Sequence, residues 1–331
     1  MSSYTYLLTG GAGYLGSFLA NELLNNGHNV IIIDNFYFET EFNIHKNLTL
    51  IKKDVRNIQE NDFRNVDIVI DLAAISNDPA ADLNQEFTYK INGESRLNTC
   101  KLAKASGVKG YILASSCSVY GFNNNLVNET SEVQPLTTYA YANLLAEKLV
   151  TTYASEDFSV LVFRQATLFG ISSRMRFDLV INGMTYSGIK NNKINILRDG
   201  NQKRPLLSLQ ELSKRFLSID ENVFKKNNNQ IFNIGNNKLN LSIIKIYELV
   251  NEVLGGNLEK NWYGEPDFRS YEVDFSKAAE CLPKIQEADT LEEINKIKDF
   301  VTDGNFNYDK CITLTWYKKL LEQNSDLFNK F

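Results

Sequence analysis

The chain has 331 residues, 43% hydrophobic and 23% charged, with a net charge of -5, the makeup of a globular protein with material for one large or two modest domains. Charges of mixed sign without a basic stripe argue against nucleic acid or an anionic membrane as partner, and no apolar run approaches the roughly 20 residues of a membrane span. The opening residues lack a leader's pattern, the four cysteines (Cys100, Cys117, Cys281, Cys311) lack CxxC spacing, and only His28 and His45 are histidines; a cytoplasmic protein with free thiols and metal-independent chemistry is expected.

In chain order, the first predicted strand, Tyr6 to Thr9, runs into glycines at 10, 13 and 16 and an amphipathic helix bearing Leu15, Phe18, Leu19, Leu23 and Leu24. Gly10 lets the chain reverse, Gly13 keeps a side chain off a pyrophosphate, and Gly16 lets helix and strand pack closely. The helix start, at Tyr14 and Leu15, offers N–H groups to an anion. The next strand, Asn29 to Ile33, ends in Asp34 beside Asn35. A carboxylate there accepts hydrogen bonds from an adenosine ribose and repels a 2′-phosphate, which predicts NAD rather than NADP.

A third strand, Leu48 to Ile51, leads to Asp54 and Val55 at the expected adenine edge. A fourth, Asp67 to Leu72, opens into Ala73 and Ala74, small enough for close approach of a cofactor, then Ser76 and Asn77. A helical pattern from about Asp82 to Ala105 carries Asn92. The fifth strand, Gly110 to Ala114, ends in the hydroxyls Ser115, Ser116 and Ser118, at the carboxyl end where such sheets bind ligands. Pro135 precedes a helix from about Thr138, and a sixth strand, Val160 to Phe163, leads to Thr167. The alternation predicts an α/β protein: a Rossmann doubly wound parallel sheet over 1–170. Beyond 171 the pattern loosens, predicting a smaller mixed substrate-binding domain over 171–331 with some segments returning to the sheet. Three arginine sites there, Arg174 with Arg176, Arg204, and Arg269, suit a nucleotide diphosphate.

As a set, Thr9 to Gly16, Asp34, Leu72-Ala73-Ala74, Ser116 ahead of Val119-Tyr120-Gly121, and Pro135 to Glu147 resemble the extended short-chain dehydrogenases/reductases that act on nucleotide sugars. The likeness continues through Asp199 to Arg204, Asn233 to Gly235 and Arg269 to Lys277. It implies tightly held NAD, a nucleotide-diphosphate sugar oxidised at C4 by hydride transfer, and a homodimer joined through helices around 82–105 and 138–155. By position, Tyr139 resembles the tyrosine that takes the hydroxyl proton, and Ser116 its partner on the same oxygen. Ser76, Asn77, Ser118, Thr167 and the four arginines are the candidates for holding the sugar nucleotide.

Two positions depart from the family pattern. The lysine expected four residues after the tyrosine is Asn143. One helical turn on, about 40° round the axis, Asn143 is expected to face the cofactor and donate to its ribose, with the positive charge gone; Lys148 lies about 180° away. A phenol near pKa 10 then lacks help, so slow turnover or a raised pH optimum is expected. Cys117 and Ser118 stand where the family's 4,6-dehydratases carry an Asp-Glu pair, which argues against dehydration. Residues 73–79 and 173–178 resemble a branch that acts on GDP-linked heptose in capsule polysaccharide biosynthesis. Net oxidation of such a sugar is therefore the expected reaction, 4-epimerisation the alternative, and a non-catalytic NAD-binding scaffold the rival from another class.

Overall fold

The structure, a computed structural model, describes residues 3–265, 270–324 and 327. Seven parallel strands form the main sheet: β1 (Thr5–Thr9), β2 (Asn29–Asp34), β3 (Leu48–Lys52), β4 (Ile68–Asp71), β5 (Gly110–Ser116), β6 (Ser159–Gln165) and β7 (Gln230–Ile234). Their order is β3-β2-β1-β4-β5-β6-β7, so the direction of winding reverses between β1 and β4 and opens a crevice at the strands' carboxyl ends. Side chains alternate between two apolar layers because helices cover both faces of a parallel sheet. Leu8, Ile32, Ile70, Ile112, Leu161 and Phe163 enter one layer, and Leu7, Ile33, Val69, Leu113, Val160 and Val162 the other.

Helix α1 (Tyr14–Asn25) buries Leu15, Leu19 and Leu23 against the first layer. The helix expected from Asp82 starts later. The chain makes a short turn at Asp78–Ala81 and resumes at Gln85, where the Asn84 side chain accepts the Phe87 N–H at 2.9 Å. It runs through Gln85–Tyr89 and a π-helical turn, Lys90–Glu94, into α2 (Ser95–Ala105). Helix α3 (Thr138–Val150) packs beside α2.

β7 comes from the second half of the chain, so the sheet draws on both sides of residue 170. Thr167–Phe169 joins Lys203–Ser208 and Asn240–Ser242 of that half in a three-stranded sheet, and Lys193–Leu197 pairs in parallel with Glu259–Tyr263. A terminal helix, α4 (Thr313–Gln323), packs over the end of β2: Trp316 Nε1 donates to Tyr37 O at 2.6 Å, and Tyr317 meets Tyr37 and Phe38 edge-on. Among the described residues no helix is long and apolar enough to cross a membrane, and no cluster of His, Cys, Asp and Glu could hold a metal ion.

Candidate active site

A cavity of about 790 Å³ opens at the carboxyl ends of the strands, floored by the glycine turn and roofed by residues of the second half. Gly10 has φ +65°, and a Cβ there would lie 2.7 Å from Ala73 Cα; a Cβ on Gly16 would lie 2.6 Å from Gly11 Cα. The turn therefore cannot form with larger residues at those positions. Gly13 caps α1 without any side-chain hydrogen bond, which leaves the first-turn N–H groups for an anion. Gly10, Gly13, Tyr14, Leu15, Gly16, Leu72 and Ala74 all line this cavity.

Several expected cofactor residues stand behind the wall. Asp34 accepts the Ala12 N–H at 3.0 Å and the Phe36 N–H at 2.7 Å, so it holds the glycine turn to the end of β2. Burial pushes its carboxyl up, against those backbone hydrogen bonds. Asp54 is taken up by Arg56 in a two-point ion pair at 2.9 and 2.7 Å, with Asn35 at 3.4 Å and Val55 buried beneath. Asn92, also expected on the cofactor, is fully buried and clamps the backbone of Ile75 instead, accepting at 2.8 Å and donating at 3.1 Å. It sets the course of the loop after β4, and Ala73, buried at the loop's start, receives Thr9 Oγ1 on its N–H at 3.3 Å.

The proton-handling end is built where β5 meets α3. Thr137 caps α3 by accepting the Ala140 N–H at 3.2 Å and donates to Asp78 at 2.7 Å, while Thr138 donates to Asp82 at 2.8 Å. These bonds fix the first turn, and with it Tyr139, against the loop after β4. Tyr139 and Ser116 both line the cavity, and the Ser116 side chain acts to lower the Tyr139 pKa. Around them, Ser118 Oγ and Gln165 Nε2 are buried without partners; unsatisfied polar atoms in a cavity wall mark where a hydroxyl-rich ligand would bond. Gln165 lies opposite Ser116 in the sheet register. Thr167 lines the same wall.

Asn143 does not face the cavity. It is 0% exposed, its amide donates back to Tyr139 O at 2.8 Å, and its Oδ1 accepts from Arg96 Nη1 at 2.7 Å. An arginine has only donors, so the amide orientation is forced. Arg96 reaches this turn from α2, so a guanidinium lies against the Asn143 side chain. Lys148 is exposed, on the far side of α3.

On the substrate side, Arg176 is neutralised by Asp178 in a two-point pair at 3.0 and 2.9 Å, and Asn77 donates to the same carboxylate at 2.7 Å. Ser76 lies 3.4 Å from Arg176. Burial alone would raise Asp178, but the Arg176 guanidinium outweighs it and holds the carboxyl at about 2. A depressed native pKa stabilises the fold above the ordinary carboxylate range, and the gain is lost as pH falls through about 2. Denaturant midpoints should fall across that window by on the order of 2 kcal/mol in stability, and Asp178→Asn should remove that part of the acid slope.

Arg174, expected on the sugar nucleotide, sits instead toward the cofactor end. It stacks 3.8 Å from the Phe38 ring, donates to Thr313 on α4 at 2.8 Å and acts electrostatically on Asp34. Its Nη1 is buried without a partner. Burial and the Arg176 charge push it down to about 9, so it is still cationic at neutral pH. A buried cation short of a hydrogen bond suits a pyrophosphate oxygen. Arg174→Met should weaken NAD binding by about tenfold to a hundredfold, measured by calorimetric titration of cofactor-free protein. Arg204 lines the cavity beside Gln202 and Tyr263; Arg269 lies outside the described residues.

The sequence reading missed Arg96, Gln165 and Asp178. Arg96 had a signal, since it shares a buried helical face with Cys100 and Ala103. Gln165 had one too, as a polar residue closing a fully buried strand.

A doubly wound sheet with a glycine turn at its crevice and a serine–tyrosine pair on the cavity wall defines a nucleotide-dependent enzyme of the short-chain dehydrogenase/reductase type. More closely, the chain belongs to the NAD dependent epimerase/dehydratase family, whose model matches residues 6–235. It is similar to UDP-glucuronic acid decarboxylase 1 of Xenopus tropicalis, 26% identical over 271 residues that cover 78% of this chain and 62% of that protein. It is similar to UDP-glucuronate 4-epimerase of Thermodesulfobacterium geofontis, 26% identical over 295 residues covering 84% and 90%. Among solved structures, UDP-N-acetylglucosamine 4-epimerase from Methanobrevibacter ruminantium, in complex with UDP-N-acetylmuramic acid, has a TM-score of 0.81 at 24% identity, covering 92% of this chain and all of that one. NAD is the cofactor of this family.

Proposed function

We propose that the protein oxidises C4 of a nucleotide-linked sugar, with Tyr139 as the group that exchanges the hydroxyl proton and Ser116 as its partner on the same oxygen. The observation that carries this reading is the placement of Tyr139 and Ser116 together on the cavity wall, bordered by the unsatisfied Ser118 Oγ and Gln165 Nε2. NAD supplies the acceptor for the hydride. Ser116 positions the oxygen, Ser118 and Gln165 offer bonds to neighbouring hydroxyls, and the roof over the cavity excludes water. The two curated relatives fit the same first step: 4-epimerisation passes through a 4-ketone, and a 4-ketone places a uronic carboxylate β to a carbonyl, where it is readily lost. No carboxylic acid follows Ser116, because Cys117 and Ser118 occupy that place, so elimination of water is disfavoured.

Net oxidation to a released 4-keto sugar is the preferred outcome, with a GDP-linked heptose of surface-polysaccharide biosynthesis as the first substrate to try, supported by the likeness of residues 73–79 and 173–178. The second reading is a nucleotide-sugar 4-epimerase, favoured by the names of the relatives. A homodimer through α2 and α3 accompanies either; Tyr141 and Leu145 on the outer face of α3 are 51% and 37% exposed. The test is mass spectrometry of products and bound cofactor after incubation with GDP-heptose, GDP-mannose, UDP-glucose and UDP-glucuronate. A product lighter by two hydrogens with NADH retained supports oxidation. Unchanged mass with inverted stereochemistry moves the reading to epimerase, and no change to any sugar leaves the NAD-binding scaffold.

A further inference from the structure

We propose that Arg96, reaching in from α2 and held by Ala73 and Asn143, supplies at Tyr139 the fixed positive charge that a lysine at position 143 would have carried. This deepens the reading above and rests on Tyr139 as its proton-exchanging group. The Arg96 side chain is 2% exposed yet lines the cavity. Its Nε donates to Ala73 O at 3.0 Å and its Nη1 to Asn143 Oδ1 at 2.7 Å. Among the described residues it has no ion pair, and Nη2 has no hydrogen-bond partner. The buried carboxylate in its neighbourhood, Asp71, is committed to Thr9 at 2.6 Å and Tyr111 at 2.5 Å. A guanidinium desolvated without a carboxylate is costly, and its field in a low-dielectric wall is strong.

Position 143 completes the argument. Asn143 takes a hydrogen bond from Arg96 through Oδ1 and returns one to the Tyr139 carbonyl through Nδ2, which ties the cation to the turn of α3 that carries the phenol. A lysine there would set two cations together and leave Arg96 Nη1 without an acceptor. Arginine at 96 and asparagine at 143 are therefore a matched pair.

Other groups also act on the phenol. Ser116 faces it from the end of β5, Asp78 from the loop after β4, Arg176 from the loop across the cavity, and Tyr271 lies within electrostatic reach. Arg176 is cancelled by Asp178; Arg96 is not cancelled. Burial raises the Tyr139 pKa, and the strongest influence against it is the Arg96 charge, followed by the Ser116 side chain. Arg96 and Asn143 are positioning residues: the O–H bond breaks at the sugar and forms at the Tyr139 oxygen, while neither of them gains or loses a proton.

The experiment compares Arg96→Met, Arg96→Lys, Asn143→Lys and the double variant Arg96→Met/Asn143→Lys. Two readouts are taken: the pH profile of single-turnover hydride transfer, and tyrosinate absorbance against pH without substrate or cofactor, with Tyr139→Phe as the blank. The expected result for Arg96→Met is a rise of at least about one pH unit in both, with at least about tenfold loss of rate at pH 7. Arg96→Lys should stay near wild type, Asn143→Lys alone should be slower than wild type, and the double variant should be faster than either Arg96→Met or Asn143→Lys. Superimposable wild-type and Arg96→Met profiles would overturn the proposal. So would a double variant no faster than Arg96→Met, or an Arg96→Lys profile that follows Arg96→Met. Should no nucleotide sugar turn over, the C4-oxidation reading fails, and the tyrosinate titration still decides the role of Arg96.

Discussion

Tyr139→Phe is expected to slow the first turnover of hydride transfer by about 10²- to 10⁴-fold while NAD still binds. The substitution removes one oxygen and keeps the ring in place. The groups that fix α3 at this turn, Thr137 on Asp78 and Thr138 on Asp82, do not involve the phenol, so the helix start should survive. The lost oxygen belongs to the side chain that shares the cavity wall with Ser116, and Tyr141, the other tyrosine of α3, points to solvent, 51% exposed. Rapid mixing with a substrate found in the nucleotide-sugar panel, following NADH absorbance, checks it. Wild-type rates from Tyr139→Phe would place the chemistry elsewhere.

Glu147→Ala is expected to cost about 3–5 kcal/mol of stability, the largest loss from any single truncation near the site. Glu147 and Arg164 are both buried and paired at 2.7 Å, with Arg164 Nε at 3.1 Å from each carboxylate oxygen. Ser115 donates to the same carboxylate, and Arg164 Nη1 lies 3.0 Å from Tyr120 OH, which bonds Asn233 at 2.8 Å. The network joins α3, β5, β6 and β7 directly beneath Tyr139 and Ser116. Removing the carboxylate strands a guanidinium with no water to receive it, which costs far more than the pair itself contributes. Urea denaturation with wild type as reference reads the loss. A change below about 1 kcal/mol would show that water or a rearranged side chain reaches Arg164.

Much of the sheet was legible because its signals are local. A buried parallel strand must be apolar on both faces, so β1, β2, β4, β5 and β6 stand out as short Val, Ile and Leu runs. β7 was harder: its segment, Gln230–Ile234, lies after a long stretch without regular alternation and joins the sheet only by pairing with β6. The delayed start of the helix at Gln85 turned on one Asn84 hydrogen bond, a cap that competes with helix propensity over only a few residues.

The sequence by itself determined the chemistry-bearing residue types and their strand ends: the glycine turn at β1, the carboxylate closing β2, the hydroxyls after β5 and the tyrosine in the first turn of α3. Each is a short-range pattern whose spacing is set by strand or helix geometry. Only the tertiary structure decided which of them face the cavity. Asn92 and Asn143 turned inward to satisfy buried backbone and guanidinium groups, Arg174 turned toward the cofactor end, and Arg96 came from another helix to stand beside Tyr139. Those outcomes depend on which donors and acceptors meet once helices pack, and residues 96 and 143 meet only when α2 lies against α3.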